Sequence, residues 1–333
     1  MKARFDGIDI MLGRDGQSLY EQSGYGRKEG EGLRISSVEA LYLVSRNKIE
    51  FEGYNFEDLL MRFMENTDFL REYLVYRDMR ERGYVIQSGP HDFRVFRRGE
   101  KPGHGRSQYL IRVLSEREYV SFENMITDVK TASNMRKQYI LSVVDDEDEL
   151  TYYEVKIQSL KSTGAAFDIP EIKGIKYGRS VITEISPEII PENAWFGTKL
   201  DKTHLMLSPV ETSYLLGKDV LKKQDLQITI DEYIEEMLPS DEELYEKVQV
   251  YSDLRELGYT PRTAYKFGHH FRVYSGHKKH SELLVHAMPA KSRLPMSVIS
   301  RSVRLAHSVR KKMLFACVDQ NNIQYIEFAR IKL

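Results

Sequence analysis

Two periodicities take turns in this sequence, and they do so in a repeating order. ISSVEALYLV (35–44) and LSPVETSYLL (207–216) carry apolar residues at helical spacing. Each opens on a serine suited to an N-cap: Ser36 or Ser37 in the first, and Ser208 in the second, where Pro209 fits the first turn. A second helix follows in each case and stops at Gly83 or Gly258, just before a tyrosine. Short runs rich in β-branched and aromatic residues then predict strands at FRVF (93–96) and FRVY (271–274), and at YLIRV (109–113) and LLVHA (283–287). A third helix is expected over SVRLAHSVRKK (302–312), with strands LFACVD (314–319) and IQYIEFARI (323–331) behind it. On that helix Arg304 and Lys311 are expected to share one face, opposite Val303, Ala306, Val309 and Met313. This alternation predicts an α/β (α+β) fold, with helices packed on mixed sheets.

The elements come twice because the text does. The two serine-led segments are 172 residues apart, YRDMRERGY (76–84) and YSDLRELGY (251–259) 175, and SQYLIRV (107–113) and SELLVHA (281–287) 174. VKTASNMRKQYILSVVD (129–145) and VRLAHSVRKKMLFACVD (303–319) are again 174 apart. A near-constant offset over so long a stretch reads as tandem duplication. The joint falls near KSTGAAFDIPEIKG (161–174), which divides the chain into 1–165 and 166–333.

Length and composition suit such a pair of domains: 333 residues, 41% hydrophobic and 30% charged. No run approaches the roughly 18 apolar residues of a membrane span, and the N-terminus lacks an apolar signal core, so a soluble cytoplasmic protein is expected. The single cysteine, Cys317, excludes an intrachain disulfide framework and a multi-cysteine zinc site. His269-His270 has no carboxylate or cysteine partner at metal spacing, and Glu171-Ile172-Lys173 sits in the joint between Pro170 and Gly174. Neither metal nor cofactor is therefore expected. Charge changes the picture more. The net charge is -1, yet 261–333 holds 14 Lys and Arg against Glu282, Asp319 and Glu327, a balance of 14 − 3 = +11. A polyanion partner fits that patch, as does a solvated face balanced by the acidic stretch 230–246.

Differences between the copies carry the chemistry. The second copy has Tyr274, His280, Arg304 and His307 where the first has Phe96, Arg106, Lys130 and Ser133, while Lys311 is matched by Lys137. A phenol, an imidazole and an ammonium suit RNA cleavage by transesterification. That reaction needs a base for the 2′-OH, an acid for the 5′-oxygen and a cation for the transition state. Tyrosine serves as a base only where cations lower its pKa from about 10, and the basic segment supplies them. His307 is read as a packing or hydrogen-bonding residue.

At SDLRELGYTPRTAYKFGHHFRVY (252–274), HSELLV (280–285) and VRLAHSVRKKMLFACVD (303–319) the sequence resembles the catalytic domain of archaeal tRNA-splicing endonucleases. That likeness covers roughly 250–333, implying a catalytic subdomain at about 245–333, and through the duplication it extends to the fused, two-repeat homodimeric class. It implies that Tyr274 is the general base, His280 the general acid and Lys311 the transition-state stabiliser. It also implies an arginine pair that sandwiches a bulged base, matched by Arg304 and Arg330. The implied substrate is precursor tRNA with a bulge–helix–bulge, cut at both exon–intron junctions without a metal to leave 2′,3′-cyclic phosphate and 5′-hydroxyl ends. Finally, it implies a homodimer in which the acidic loop Asp145, Asp146, Glu147, Asp148 and Glu149 docks into a basic cleft of a neighbouring subunit. IQYIEFARI is expected either to pair across the dimer axis or to be internal. A non-catalytic scaffold binding structured RNA is the alternative that the basic face alone would allow.

Overall fold

The computed structural model describes all residues except 7–8, 165–168, 186–189, 191–194, 223–225, 276–277 and 321. The predicted joint (161–174) and the loop between Tyr274 and His280 therefore lie partly outside the described residues.

The first half begins with a five-stranded sheet formed by Lys2–Asp6, Asp9–Leu12, Arg27–Glu29, Gly32–Ile35 and Glu50–Phe51, with helix α1 (Ser37–Ser45) beside it. Ser36 is the cap. Its hydroxyl accepts from the Glu39 backbone, and the Glu39 carboxylate reaches back to the Ser36 N–H at 3.0 Å. The same buried carboxylate accepts from the Gly26 N–H at 2.8 Å. Gly26 has φ +61, and a Cβ there would meet the Arg34 carbonyl at 2.5 Å, so only glycine fits. The second half repeats the device: Ser208 and Glu211 cap a helix, and Glu211 accepts from Gly197 at 2.8 Å.

Helix α2 (Phe69–Glu81) then leads to β1 (Ile86–Ser88), β2 (Phe93–Phe96) and β3 (Ser107–Ser115), followed by α3 (Phe122–Asn134), β4 (Gln138–Val144) and β5 (Leu150–Gln158). In the second half a four-stranded sheet and α4 (Pro209–Gly217) precede α5 (Leu244–Glu256). Next come β6 (Tyr259–Ala264), β7 (His269–Ser275), β8 (Leu283–Pro289), α6 (Met296–Ser308), β9 (Lys312–Asp319) and β10 (Asn322–Ile331). Following α2 and α5, each half contributes one parallel strand pair, β3 with β4 and β8 with β9, and a helix makes the crossover. The fold is thus a duplicated α+β arrangement on mixed sheets, as expected.

The two halves merge into one ten-stranded sheet of order β6-β7-β8-β9-β10-β5-β4-β3-β2-β1. The seam is the antiparallel pair β5–β10, in register from Tyr152 opposite Ile331 to Gln158 opposite Tyr325. Strand β10 also pairs along its other edge with β9. Both of its hydrogen-bonding edges are occupied within the chain, which corrects the expectation of a C-terminal strand ladder across a dimer axis. Over the seam, Phe122 from α3 meets Phe315 at 5.2 Å and Phe328 at 6.1 Å, and all three rings are buried. Each such ring contributes roughly 1.5–3 kcal/mol by leaving water, so the internal repeat interface is a true core.

Helix α6 stops earlier than its periodicity suggests. Arg310 takes a left-handed conformation (φ 55), its N–H donates to His307 O at 3.0 Å, and the Lys311 N–H donates to Ala306 O at 2.8 Å. This is a Schellman closure. It puts Lys311 after the helix, at the mouth of β9, and corrects the reading of Arg304 and Lys311 on one helical face. The first half closes α3 the same way, with Arg136 at φ 56 and Lys137 N–H bonded to Ala132 O at 2.9 Å.

Candidate active site

Strand β8 and the closure of α6 bring two of the expected residues together. His280 and Lys311 line one open cleft of about 1080 Å³, with Lys278, Lys279, His307, Arg310 and Lys312 around it. The Lys311 ammonium donates to the Ser281 carbonyl at 2.6 Å, so the lysine is tied to the residue next to His280. The register explains the meeting. Leu283 pairs with Lys312 across the parallel β8–β9 ladder, and the Lys312 N–H donates to Glu282 O at 3.0 Å. His280 is exposed and Lys311 half-buried, an imidazole open to a ligand beside a cation held in place. Burial first, and then the charges of Arg272 and Lys266, hold the Lys311 ammonium below the ordinary lysine value.

Tyr274 is half-buried near the end of β7, opposite Thr260 of the edge strand β6. It is not among the described residues that line the cleft. Arg272 adjoins it, with its guanidinium carbon 5.9 Å from the Tyr274 ring centre. Glu282 accepts from Ser275 and Lys278, and these bonds keep its carboxyl below the usual range. The cleft's nearest acid is therefore already engaged.

Arg304 is exposed on α6 and Arg330 is exposed on β10, opposite Tyr153 of the first half. Neither lines the cleft among the described residues. Met313 pairs with Phe328, so Arg330 lies at the end of the sheet where Lys311 enters β9. His307 is exposed and lines the cleft, which rules out the packing half of its packing-or-hydrogen-bonding reading. It sits in the last turn of α6, whose early closure turns that position outward.

The first half keeps the frame without the chemistry. Lys137 donates to Ser107 O at 2.9 Å, Arg94 lies 5.9 Å from the Phe96 ring, and the exposed Arg106 occupies the place of His280.

One grouping went unseen in the sequence. Glu243, His270 and His286 bring ligand-type atoms within 4.8 Å of one another, so His270 does have a carboxylate neighbour. That partner is 27 residues away, just before α5, and only the fold joins them. The donor set does not fit a metal. The His270 Nδ1 accepts from the Ala287 N–H at 3.0 Å, which places the ring proton on Nε2, 3.1 Å from Glu243 Oε2. Metal-binding histidines instead donate from their second nitrogen. His270 and His286 are also stacked, 4.2 Å apart at 26°, so their lone pairs run side by side and do not converge. Burial lowers both to about 4. Glu171, the other acidic candidate, is paired with Lys222 at 3.3 Å.

A sequence model described as the catalytic C-terminal domain of tRNA intron endonuclease matches residues 69–152 and again 244–325. The N-terminal domain model of the same family matches 1–60. The chain belongs to the tRNA intron endonuclease family. A tRNA-splicing endonuclease of Methanococcoides burtonii is 38% identical over 332 residues, 95% of each chain. That of Methanosarcina barkeri is 36% identical over the whole of both chains, and that of Natronomonas pharaonis 32% over 98% of both. The double match of the family's catalytic model agrees with the duplication read from the sequence. No helix among the described residues is long and apolar enough to cross a membrane.

Proposed function

We propose that this chain is a tRNA-splicing endoribonuclease that cuts both exon–intron junctions of precursor tRNA at a bulge–helix–bulge. The observation that carries the reading is the Lys311–Ser281 tie beside His280, in the half that also has Tyr274. Family membership supports it.

Tyr274 takes the proton of the 2′-OH at the junction. The 2′-oxygen attacks phosphorus, the P–O5′ bond breaks, and the departing 5′-oxygen takes a proton from His280. Lys311 stabilises the charge on the phosphoryl oxygens as it builds. The products are a 2′,3′-cyclic phosphate and a 5′-hydroxyl, and proton exchange with water resets the two side chains. Every proton and charge is handled by groups of the chain, so the cleavage needs no metal.

Bulged nucleotides can be splayed out and stacked on guanidinium planes, a role assigned to Arg304 and Arg330. A two-fold homodimer would supply the two sites that two cuts require. The loop 145–149 is its docking element, entering the basic cleft of the other copy. Residues 1–165 then act as a structural subunit and 166–333 as the catalytic one. The enzyme would work in the cytoplasm, where precursor tRNA is processed.

The deciding experiment incubates intron-bearing precursor tRNA with the protein in excess chelator. Two cuts, with cyclic phosphate on the 5′ exon and the intron, are expected. Retention of the RNA without cleavage would mean a scaffold instead.

A further inference from the structure

Two arginines occupy equivalent places in the two halves, and their surroundings differ in one respect. Arg94 of β2 and Arg272 of β7 each lie two residues before the aromatic that separates the halves, Phe96 or Tyr274. Each guanidinium is 5.9 Å from that ring, and each Nε is buried without a hydrogen-bond partner. Burial first, and then the charge of this arginine, lowers the lysine of each half, Lys137 or Lys311. In the first half Arg94 is tied down: its Nη2 donates to Gln87 Oε1 at 2.7 Å, on the cross-strand neighbour. In the second half the cross-strand neighbour is Arg262, which cannot accept. Arg262 is turned toward the Trp195 ring, 5.4 Å away. Among the described residues, the Arg272 Nε thus has no acceptor, and its guanidinium stands beside the Tyr274 ring.

The buried Nε of this half-buried guanidinium has no acceptor, an arrangement that costs stability. Resting on the reading above, we propose that Arg272 is a positioning residue for the cleavage: its fixed charge beside the Tyr274 ring supports that phenol as the base for the 2′-OH. A positive charge near an acid stabilises the deprotonated form, and a guanidinium stays charged throughout the working range. The same charge presses on Lys311 and keeps that ammonium turned to the Ser281 carbonyl.

Other charged and titratable groups stand on the elements around Arg272. They are Arg262 on β6, Lys266 in the turn before β7, and Lys278, Lys279, His280 and Glu282 before β8. His307 and Arg310 line the cleft from the end of α6. Glu282 is engaged by Ser275 and Lys278, and the lysines other than Lys311 are exposed, so Arg272 is the half-buried charge adjoining the ring.

The test is single-turnover cleavage of intron-bearing precursor tRNA in chelator, followed from about pH 6 to about pH 10, with wild type, R272Q, R272K and R94Q. In R272Q the rising limb of the rate is expected to move up by about one pH unit, equivalent to roughly tenfold at a fixed pH below the plateau. R272K should recover most of that shift, because it keeps the charge. R94Q should leave the limb in place. RNA affinity should change far less than the rate. If R272Q does not fold, R272M offers similar bulk without charge and carries the same expectation. A uniform loss of rate at all pH values would mean a structural role and overturn the proposal. Lost affinity with an unmoved limb would mean a phosphate contact and also overturn it. In either case cutting by the wild type leaves the endonuclease reading standing. A wild type that retains the RNA uncut would bring down both.

Discussion

The Lys311 ammonium donates to the carbonyl of Ser281 at 2.6 Å, and its counterpart Lys137 makes the same bond to Ser107 at 2.9 Å. One lysine thus stands in the half with Tyr274 and His280, and the other in the half where Phe96 and Arg106 take their places. The bond itself belongs to the fold; what Lys311 adds is a charge beside His280.

Lys137→Ala and Lys311→Ala should therefore separate the two roles. Each is expected to lose about 1 kcal/mol of stability, the net worth of one such hydrogen bond, read by denaturant unfolding. Only Lys311→Ala should also cut single-turnover cleavage, by about 100-fold or more, as loss of a transition-state cation does. Equal activity in the two variants would refute the assignment.

His280→Ala should lower the rate by about 100- to 10,000-fold on an ordinary precursor tRNA, the range for a missing general acid. A substrate with sulfur in place of the bridging 5′-oxygen has a leaving group that needs no proton. The variant should cut that substrate almost as fast as wild type does. Persistent failure would place His280 outside the acid role.

The acidic loop offers a test of assembly. Asp145 accepts from the backbone of Glu147 at 3.0 Å and Glu149 at 2.9 Å, so it shapes the turn and is best left alone. Asp148 has φ 61, a conformation that asparagine tolerates. Changing residues 146–149 to Asn or Gln keeps the turn and removes four of the five acidic charges. Sedimentation is expected to show a monomer, and cleavage should fall with it. An intact dimer would exclude docking through this loop.

Stability should depend on pH through Glu72. Burial, followed by the nearby charges of Asp92 and Asp68, raises its carboxyl from 4.5 to about 7. Folding therefore favours the neutral acid. The stabilisation is complete below 4.5 and is lost as pH rises through about 7. Glu72→Gln removes this ionisation. The variant should melt above wild type at alkaline pH, and the gap should close toward acid. A gap constant with pH would contradict it.

Much of this protein was readable without coordinates, because duplication compares the chain with itself. The capping serines, the strands and the exchange of Phe96 for Tyr274 are local features, and they survive in the fold. Where the reading failed, the cause was nonlocal. Nothing in SVRLAHSVRKK says that a helix stops at Ser308, because Arg310 is a poor residue for a left-handed cap and the sheet imposes it. IQYIEFARI fits an internal strand and a dimer ladder equally well until β5 claims its free edge. His270 met Glu243 and His286 only once β7, β8 and the start of α5 were packed.

Periodicity, charge and internal comparison established the repeated α+β plan, the basic second half and the residues that set one copy apart, since each follows from neighbours along the chain. Three-dimensional packing alone decided that the halves share one sheet, that Lys311 leaves its helix to sit beside His280, and that His270 meets Glu243. Those contacts join residues from separate elements, and only strand register and helix closure fix such distances.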